Sequence, residues 1–475
     1  MEHFAMKETA LNEHQNKAAF ALSGPSLSLM LAALGTSTAA VTLPEVSRDF
    51  QGGRFDATLV VSTYVFATTA LIVPAGRAGD LFGKRTVLVV GLCLYLLGAI
   101  FAYFAPTLPI LVASRVVQGA GAAAMMAMPL ALVRDFALPG QVGRWMGLMG
   151  TMSAIGTASG PALGGVVAAV FGWRAVYFFQ IPLTLAAFIL CLVYLKNNKR
   201  ADRRTSIDLP GAGALALFLA AVTLLVSDVA KGIDATTAGL VVVAVGAFAG
   251  FLLIESRAQF PIIPPELLRS IDMRFSLAMN ATISLIMMGI LIVGPFYLTR
   301  GLGLTTAQMG LVMSVGPISS ALSGIPAGRL TERAGPSNAV LLGAFAMMVS
   351  TAAMAGLPYV FGLGGFIVAF ILLAPSYQLF LAALNTFVME NVPEHERGVT
   401  SGVLNLSRNF GFILGAGVLS AAFWSLAHYK TGTGIEAYGI SFAMAGTFAM
   451  CCVLTLGVVL LAFALGRTRF QTSSS

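Results

Sequence analysis

Residues 57–104 read ATLVVSTYVFATTALIVPAGRAGDLFGKRTVLVVGLCLYLLGAIFAYF. All the charges of this stretch fall in one short run, Gly76-Arg77-Ala78-Gly79-Asp80-Leu81-Phe82-Gly83-Lys84-Arg85. An apolar block flanks the run on each side. Each block has about the 20 residues a helix needs to cross roughly 30 Å of hydrocarbon at 1.5 Å per residue. Glycines allow a tight turn at a helix end. Lys84 and Arg85 hold that turn on the cytoplasmic side. The stretch therefore predicts a span, a basic turn and a returning span.

The same grammar repeats along the chain. Apolar blocks fall at 19–43, 57–76, 86–104, 108–132, 143–170, 175–195, 209–227, 236–254, 276–298, 307–327, 337–357, 360–388, 399–424 and 440–465. These predict about 14 transmembrane helices. Of 475 residues, 57% are hydrophobic and 10% charged. A soluble chain carries about 25% charged residues. Lipid leaves the backbone to satisfy its own hydrogen bonds, so repeated apolar blocks of this length predict an all-α polytopic membrane protein.

The net charge of +8 is spread over short loops, without the continuous basic surface that a nucleic-acid partner needs. Cys93, Cys191, Cys451 and Cys452 fall inside apolar blocks and read as small core residues. The four histidines lie in tails or loops. No metal site and no cofactor is called for. No catalytic carboxylate pair, no nucleophile with a base and no phosphate loop is visible, so an enzyme is not expected. Met1–Lys17 is polar and mixed in charge, so the first apolar block is expected to remain as a helix.

Loop charge sets the expected direction. With the N-terminus inside, the inner segments hold 20 Lys and Arg and the outer segments 6, while Arg115 and Arg408 fall within spans. Both termini are then expected in the cytoplasm.

Pro74-Ala75-Gly76-Arg77 recurs as Pro326-Ala327-Gly328-Arg329. Each is followed by an acid, Asp80 or Glu332, and by Gly83 or Gly335, at an offset of 252. Gly143, Gly147, Gly156 and Gly160 match Gly398, Gly402, Gly411 and Gly415 at an offset of 255. A duplicated helical membrane chain is the signature of a secondary transporter with its site between the repeats. The partition is 1–200 for a six-helix half, 201–270 for two extra helices and linkers, and 271–475 for the second six-helix half.

On these residues the chain resembles the major facilitator superfamily, and within it the fourteen-span drug/proton antiporter family. The ten residues from Gly76 to Arg85 are similar to that superfamily's loop between its second and third spans. The resemblance implies a conformational latch of Gly76, Arg77, Asp80, Gly83, Lys84 and Arg85, with Arg329 and Glu332 in the repeat. Asp80 can sit against the positive N-terminal end of the thirteenth span.

Arg115-Val116-Val117-Gln118-Gly119 places a charge within the fourth span, which is costly and marks a functional candidate. The resemblance implies proton coupling through Arg115 and Gln118; structural hydrogen bonding is the other reading. Gly156-Thr157-Ala158-Ser159-Gly160-Pro161-Ala162-Leu163-Gly164-Gly165 resembles the antiporter signature of exporters, carried by Gly156, Gly160, Pro161, Gly164 and Gly165. Small residues also allow plain close packing.

The family's first span carries an Asp and an Asn where this chain has Gly35 and Ala40. No Asp or Glu lies near the middle of any span. Tyr64, Met125, Asn280, Tyr377, Gln378 and Asn385 are candidates to face a substrate cavity, with ordinary packing as the alternative. A cavity without carboxylates suits neutral or anionic amphiphiles. The expected function is export of small organic molecules across the bacterial cytoplasmic membrane by alternating access, in exchange for protons. An importer or facilitator of the same fold is the other reading. The expected partners are substrate, protons and lipid bilayer, and the working form a monomer.

Overall fold

The computed structural model describes the chain except residues 1, 51–53, 137–141, 196–208, 230–234, 259–262, 264, 391, 393–396, 432–435 and 473–475. Among the described residues every regular element is a helix. In order these are α1 (Glu2–Asp49), α2 (Arg54–Phe82), α3 (Lys84–Tyr103), α4 (Leu108–Phe136), α5 (Val142–Phe171), α6 (Trp173–Tyr194), α7 (Leu209–Val229) and α8 (Ala235–Glu255). Then follow α9 (Pro265–Arg269), α10 (Ile271–Phe296), α11 (Thr306–Ala334), α12 (Pro336–Glu390), α13 (Arg397–Leu414), α14 (Ser420–Thr431) and α15 (Glu436–Thr472). Short π turns join α10 to the next loop and α13 to α14.

Among the described residues twelve helices are long and apolar enough to cross a membrane when α12 is counted once, where about fourteen spans were expected. Two features account for the difference. The 55 residues of α12 would extend over about 80 Å at 1.5 Å each, far beyond a bilayer core. The chain breaks at Gly362, with φ 54° and ψ −126°, so α12 is two arms, 336–361 and 363–390. The apolar part of α7, Pro210–Val226, is shorter than the others.

Local chemistry sets the helix boundaries. Gly83 and Gly335 have φ of 94° and 79°. Both sit in the left-handed region that side chains resist. The repeat spacing of these two glycines thus has a backbone cause, since each opens the helix that follows. A capping box starts α11, where Thr305 Oγ1 accepts from Gln308 N at 3.3 Å and Gln308 Oε1 accepts from Thr305 N at 3.0 Å.

The helices assemble as two matching groups. In α1–α6, α1 packs on α5 and α6, and α3 packs on α4. In α10–α15, α10 packs on α13, and α12 packs on α11 and α15. Equivalent glycines make the equivalent contacts. A Cβ on Gly156 would overlap the Met30 carbonyl of α1, while Cβ atoms on Gly411 and Gly415 would overlap the Ala281 and Leu285 carbonyls of α10. The glycine repeat is therefore a repeat of close helix approach. The groups meet through α5 with α11, α1 with α10 and α2 with α13. Helix α7 lies against α2 and α13 across this seam, and α8 packs outside it on α7.

Candidate functional site

The first group is built around a charge. Arg115 of α4 is fully buried. Its Nε donates to Val60 O of α2 at 3.0 Å, and its Nη2 donates to Gly35 O of α1 at 2.7 Å. Nη1 donates to Gln118 Oε1, one turn along. The guanidinium carbon lies 4.2 Å from the centre of the Tyr64 ring. Gln118 Nε2 donates to Gln180 Oε1 of α6 at 2.8 Å, and Gln180 Nε2 donates to Thr38 Oγ1 of α1 at 3.3 Å. Tyr95 Oη of α3 lies 2.9 Å from Leu31 O and 3.0 Å from Gln180 Oε1, with one proton to donate between them. One cation thus joins α1, α2 and α4 directly, and the glutamine chain brings in α3 and α6.

Among the described residues no carboxylate pairs with Arg115. A buried charge is tolerable only when it is hydrogen-bonded. Here two carbonyls, an amide and an aromatic face meet that need. Gly35 shows why the first span lacks an acid: a Cβ there would lie 2.6 Å from Tyr95 Oη and 3.0 Å from Tyr64 Oη. The tyrosines occupy the space a side chain would take.

Tyr64 and Met125, expected at a cavity, are instead in the core, 1% and 0% exposed. Tyr64 stacks under Arg115 and donates to Ala32 O at 2.7 Å. Its ring serves the charge. Gln180 and Tyr95 were missing from the expected set. Gln180 carried a signal, as an amide inside the apolar block of α6.

The Gly76–Arg85 turn is bolted to its own group. Lys84 Nζ pairs with Asp135 at the end of α4 at 2.8 Å and donates to Ala131 O at 3.2 Å. Arg85 Nη2 donates to Leu192 O near the end of α6 at 2.8 Å. Both cations therefore sit where a helix C-terminus is negative. The Asp80 side chain, expected against α13, lies outside the described residues. Arg329 and Glu332 are exposed, and among the described residues nothing lies within 4 Å of where a Cβ would stand on Gly76 or Gly328.

Helix α5 is small on two sides. Gly156, Gly160 and Gly164 face Met30, Ser37 and Thr38 of α1. Gly165 faces the other group, where its Cβ would lie 2.7 Å from Gly310 Cα and 2.9 Å from Thr306 O of α11. Pro161 O likewise abuts Gly310. At the same end of the bundle Thr306 Oγ1 donates to Glu45 Oε1 of α1 at 2.5 Å. Nearby, Asp49 Oδ2 accepts from Trp173 Nε1 at 3.0 Å and Arg174 Nη1 at 2.6 Å. The Gly165 and Glu45 contacts join the two groups at the end away from the Gly76–Arg85 turn, while Asp49 ties α1 to α6 within the first group.

In the second group Asn280 and Asn385 come together at one cavity of about 280 Å³, with Leu381, Met389, Leu404, Asn405 and Arg408. Gln378 is elsewhere, its Oε1 accepting from Ser320 Oγ of α11 at 3.4 Å. Tyr377 lies within electrostatic reach of Arg408.

Two pseudo-equivalent helix groups, a buried cation in the bundle and small-residue seams between the groups are the architecture of a polytopic membrane transporter. The chain belongs to the Major Facilitator Superfamily, whose model matches residues 26–416. It is 29% identical over 416 residues to the multidrug resistance protein Stp of Mycobacterium tuberculosis, covering 84% of this chain and 75% of Stp. It is 27% identical over 398 residues to the tetracenomycin C resistance and export protein of Streptomyces glaucescens, covering 83% and 74%. It is also 25% identical over 446 residues to the riboflavin transporter RibZ of Clostridioides difficile, covering 93% and 96%. In fold it is similar to a peptide transporter crystallised with alafosfalin, with a TM-score of 0.68 over 96% of this chain and 99% of that one at 14% identity.

Proposed function

We propose that this protein exports small organic molecules across the bacterial cytoplasmic membrane by alternating access, in exchange for protons. Residues 1–200 and 271–475 are the two moving halves, and 201–270 adds the α7–α8 pair at their seam. Both termini face the cytoplasm, and the Gly76–Arg85 and Gly328–Gly335 turns latch that side. The working unit is a monomer.

The observation that carries this reading is the α5 stretch from Gly156 to Gly165. One of its faces is packed into α1, and its last glycine is packed into α11 of the other half. A helix without side chains at such a seam lets the halves close tightly and part again. Relatives named for drug resistance and export support the direction. Arg115 cannot carry the proton itself, because a guanidinium does not deprotonate in proteins. Its role in coupling is to hold α1, α2 and α4 in one arrangement that protonation elsewhere alters.

The test is accumulation of neutral, acidic and cationic dyes in everted membrane vesicles, with and without an imposed pH gradient. Export by exchange predicts accumulation that stops when the gradient is collapsed. Accumulation indifferent to the gradient would remove proton coupling. Uptake confined to right-side-out vesicles would remove export.

A further inference from the structure

The cavity between α10, the 363–390 arm of α12 and α13 holds a charge that the first group's logic does not explain. Its lining is mixed: Asn280, Asn385, Asn405 and Arg408 with Leu381, Met389 and Leu404. Asn280 is 3% exposed and spends its amide N–H on Leu404 O at 2.8 Å. Among the described residues that bond leaves its Oδ1 buried without a hydrogen-bond partner. Arg408 Nε is buried in the same condition. Among the described residues Arg408 makes no ion pair with a carboxylate.

The contrast with Arg115 is what decides the reading. Arg115 has its three nitrogens placed on carbonyl and amide oxygens and a ring beneath it. A structural arginine in this protein is therefore a satisfied one. Arg408 has a cavity where those oxygens would be. A guanidinium fork binds a carboxylate or another oxyanion through two parallel N–H donors. The Asn385 amide at the same cavity is able to donate as well. A volume of about 280 Å³ is at the lower edge of drug-sized pockets, so it takes the charged head of a molecule and a short apolar stem.

We propose that Arg408, with Asn385 beside it, forms an oxyanion-recognition site in the second half, and that the transported molecules include organic acids bound there by their carboxylate. The inference rests on the transporter reading, since it makes this cavity part of the substrate path. It does not depend on direction or coupling.

Binding to the purified full-length protein is measured for three probes of one size and three head charges: benzoate, benzylammonium and benzyl alcohol. Benzoate is expected to bind best. Arg408→Gln raises its Kd at least about tenfold, with Asn385→Ala raising it less, and Arg408→Lys retains part of the affinity. The unliganded Arg408→Gln protein should keep its thermal midpoint, because the half-buried Arg408 has no ion pair among the described residues for the change to break. A structural arginine would instead lower it. Equal binding of the three probes, or benzoate binding unchanged in Arg408→Gln, would overturn the site. Benzoate binding with no export in vesicles would leave the site standing and remove the exporter reading.

Discussion

Arg115 and Gly35 show how one residue's environment dictates another's absence. The family's first-span acid would sit beside the Arg115 guanidinium, yet this chain places Tyr64 and Tyr95 hydroxyls there. The arginine takes its compensation from backbone oxygens and Gln118 instead. Gly35→Asp should therefore overpack the site and cost about 1–3 kcal/mol. Tyr95→Phe alone loses the one proton shared between Leu31 O and Gln180 Oε1 and should cost about 1 kcal/mol. The double variant should be more stable than the sum of the two losses, because removing the hydroxyl frees the space and the new carboxylate faces Arg115. Thermal unfolding of the three proteins in detergent measures this. Strict additivity would show that the tyrosine hydroxyls do not exclude the acid.

At the scale of elements, α5 carries a division of labour along its length. Gly156, Gly160 and Gly164 fasten it to α1, and Gly165 sets its distance from α11. The obstacles facing Gly165 are backbone atoms, which cannot rotate away. Gly165→Leu should therefore spread the α5–α11 seam without loosening α1. Overpacking of about 1–3 kcal/mol corresponds to a roughly 5- to 150-fold change in a two-state balance. The expected readout is faster labelling of Thr306→Cys by a membrane-impermeant maleimide in the Gly165→Leu background. Gly213→Leu on α7, with nothing within 4 Å of the added Cβ, is the control and should leave the rate unchanged. Equal rates in all three backgrounds would mean that Gly165 does not control the seam.

For the whole molecule, the basic loops predict a direction that accessibility can check. Cysteines at Thr9 and Ser474 should react with an impermeant maleimide in everted vesicles and stay silent in intact cells. A cysteine at Thr107, exposed in the turn between α3 and α4, should do the reverse. The native thiols add little background, since Cys191 and Cys451 are buried and Cys93 and Cys452 half-buried within helices. Labelling of Thr9→Cys in intact cells would reverse the orientation.

The membrane character, the helix order and the two-fold repeat were legible without coordinates. Each depends on periodicities of apolar length, charge and glycine that lie along one chain. Even the pairing of Gly83 with Gly335 was visible, because a positive φ constrains a residue locally. The break at Gly362 was legible as well, as the gap between the blocks 337–357 and 360–388; α7 is where the span signal was weak, its apolar part running only over Pro210–Val226. Which polar residues meet is a different kind of fact. Tyr64 and Asn280 look alike as polar residues in apolar blocks, but one supports Arg115 in the core and the other borders a cavity. Likewise Arg115 and Arg408 are both arginines within spans, and only the helices packed around them make the first satisfied and leave the second facing open space. Hydrogen-bond satisfaction is set by neighbours tens to hundreds of residues away, so the tertiary structure alone decides it.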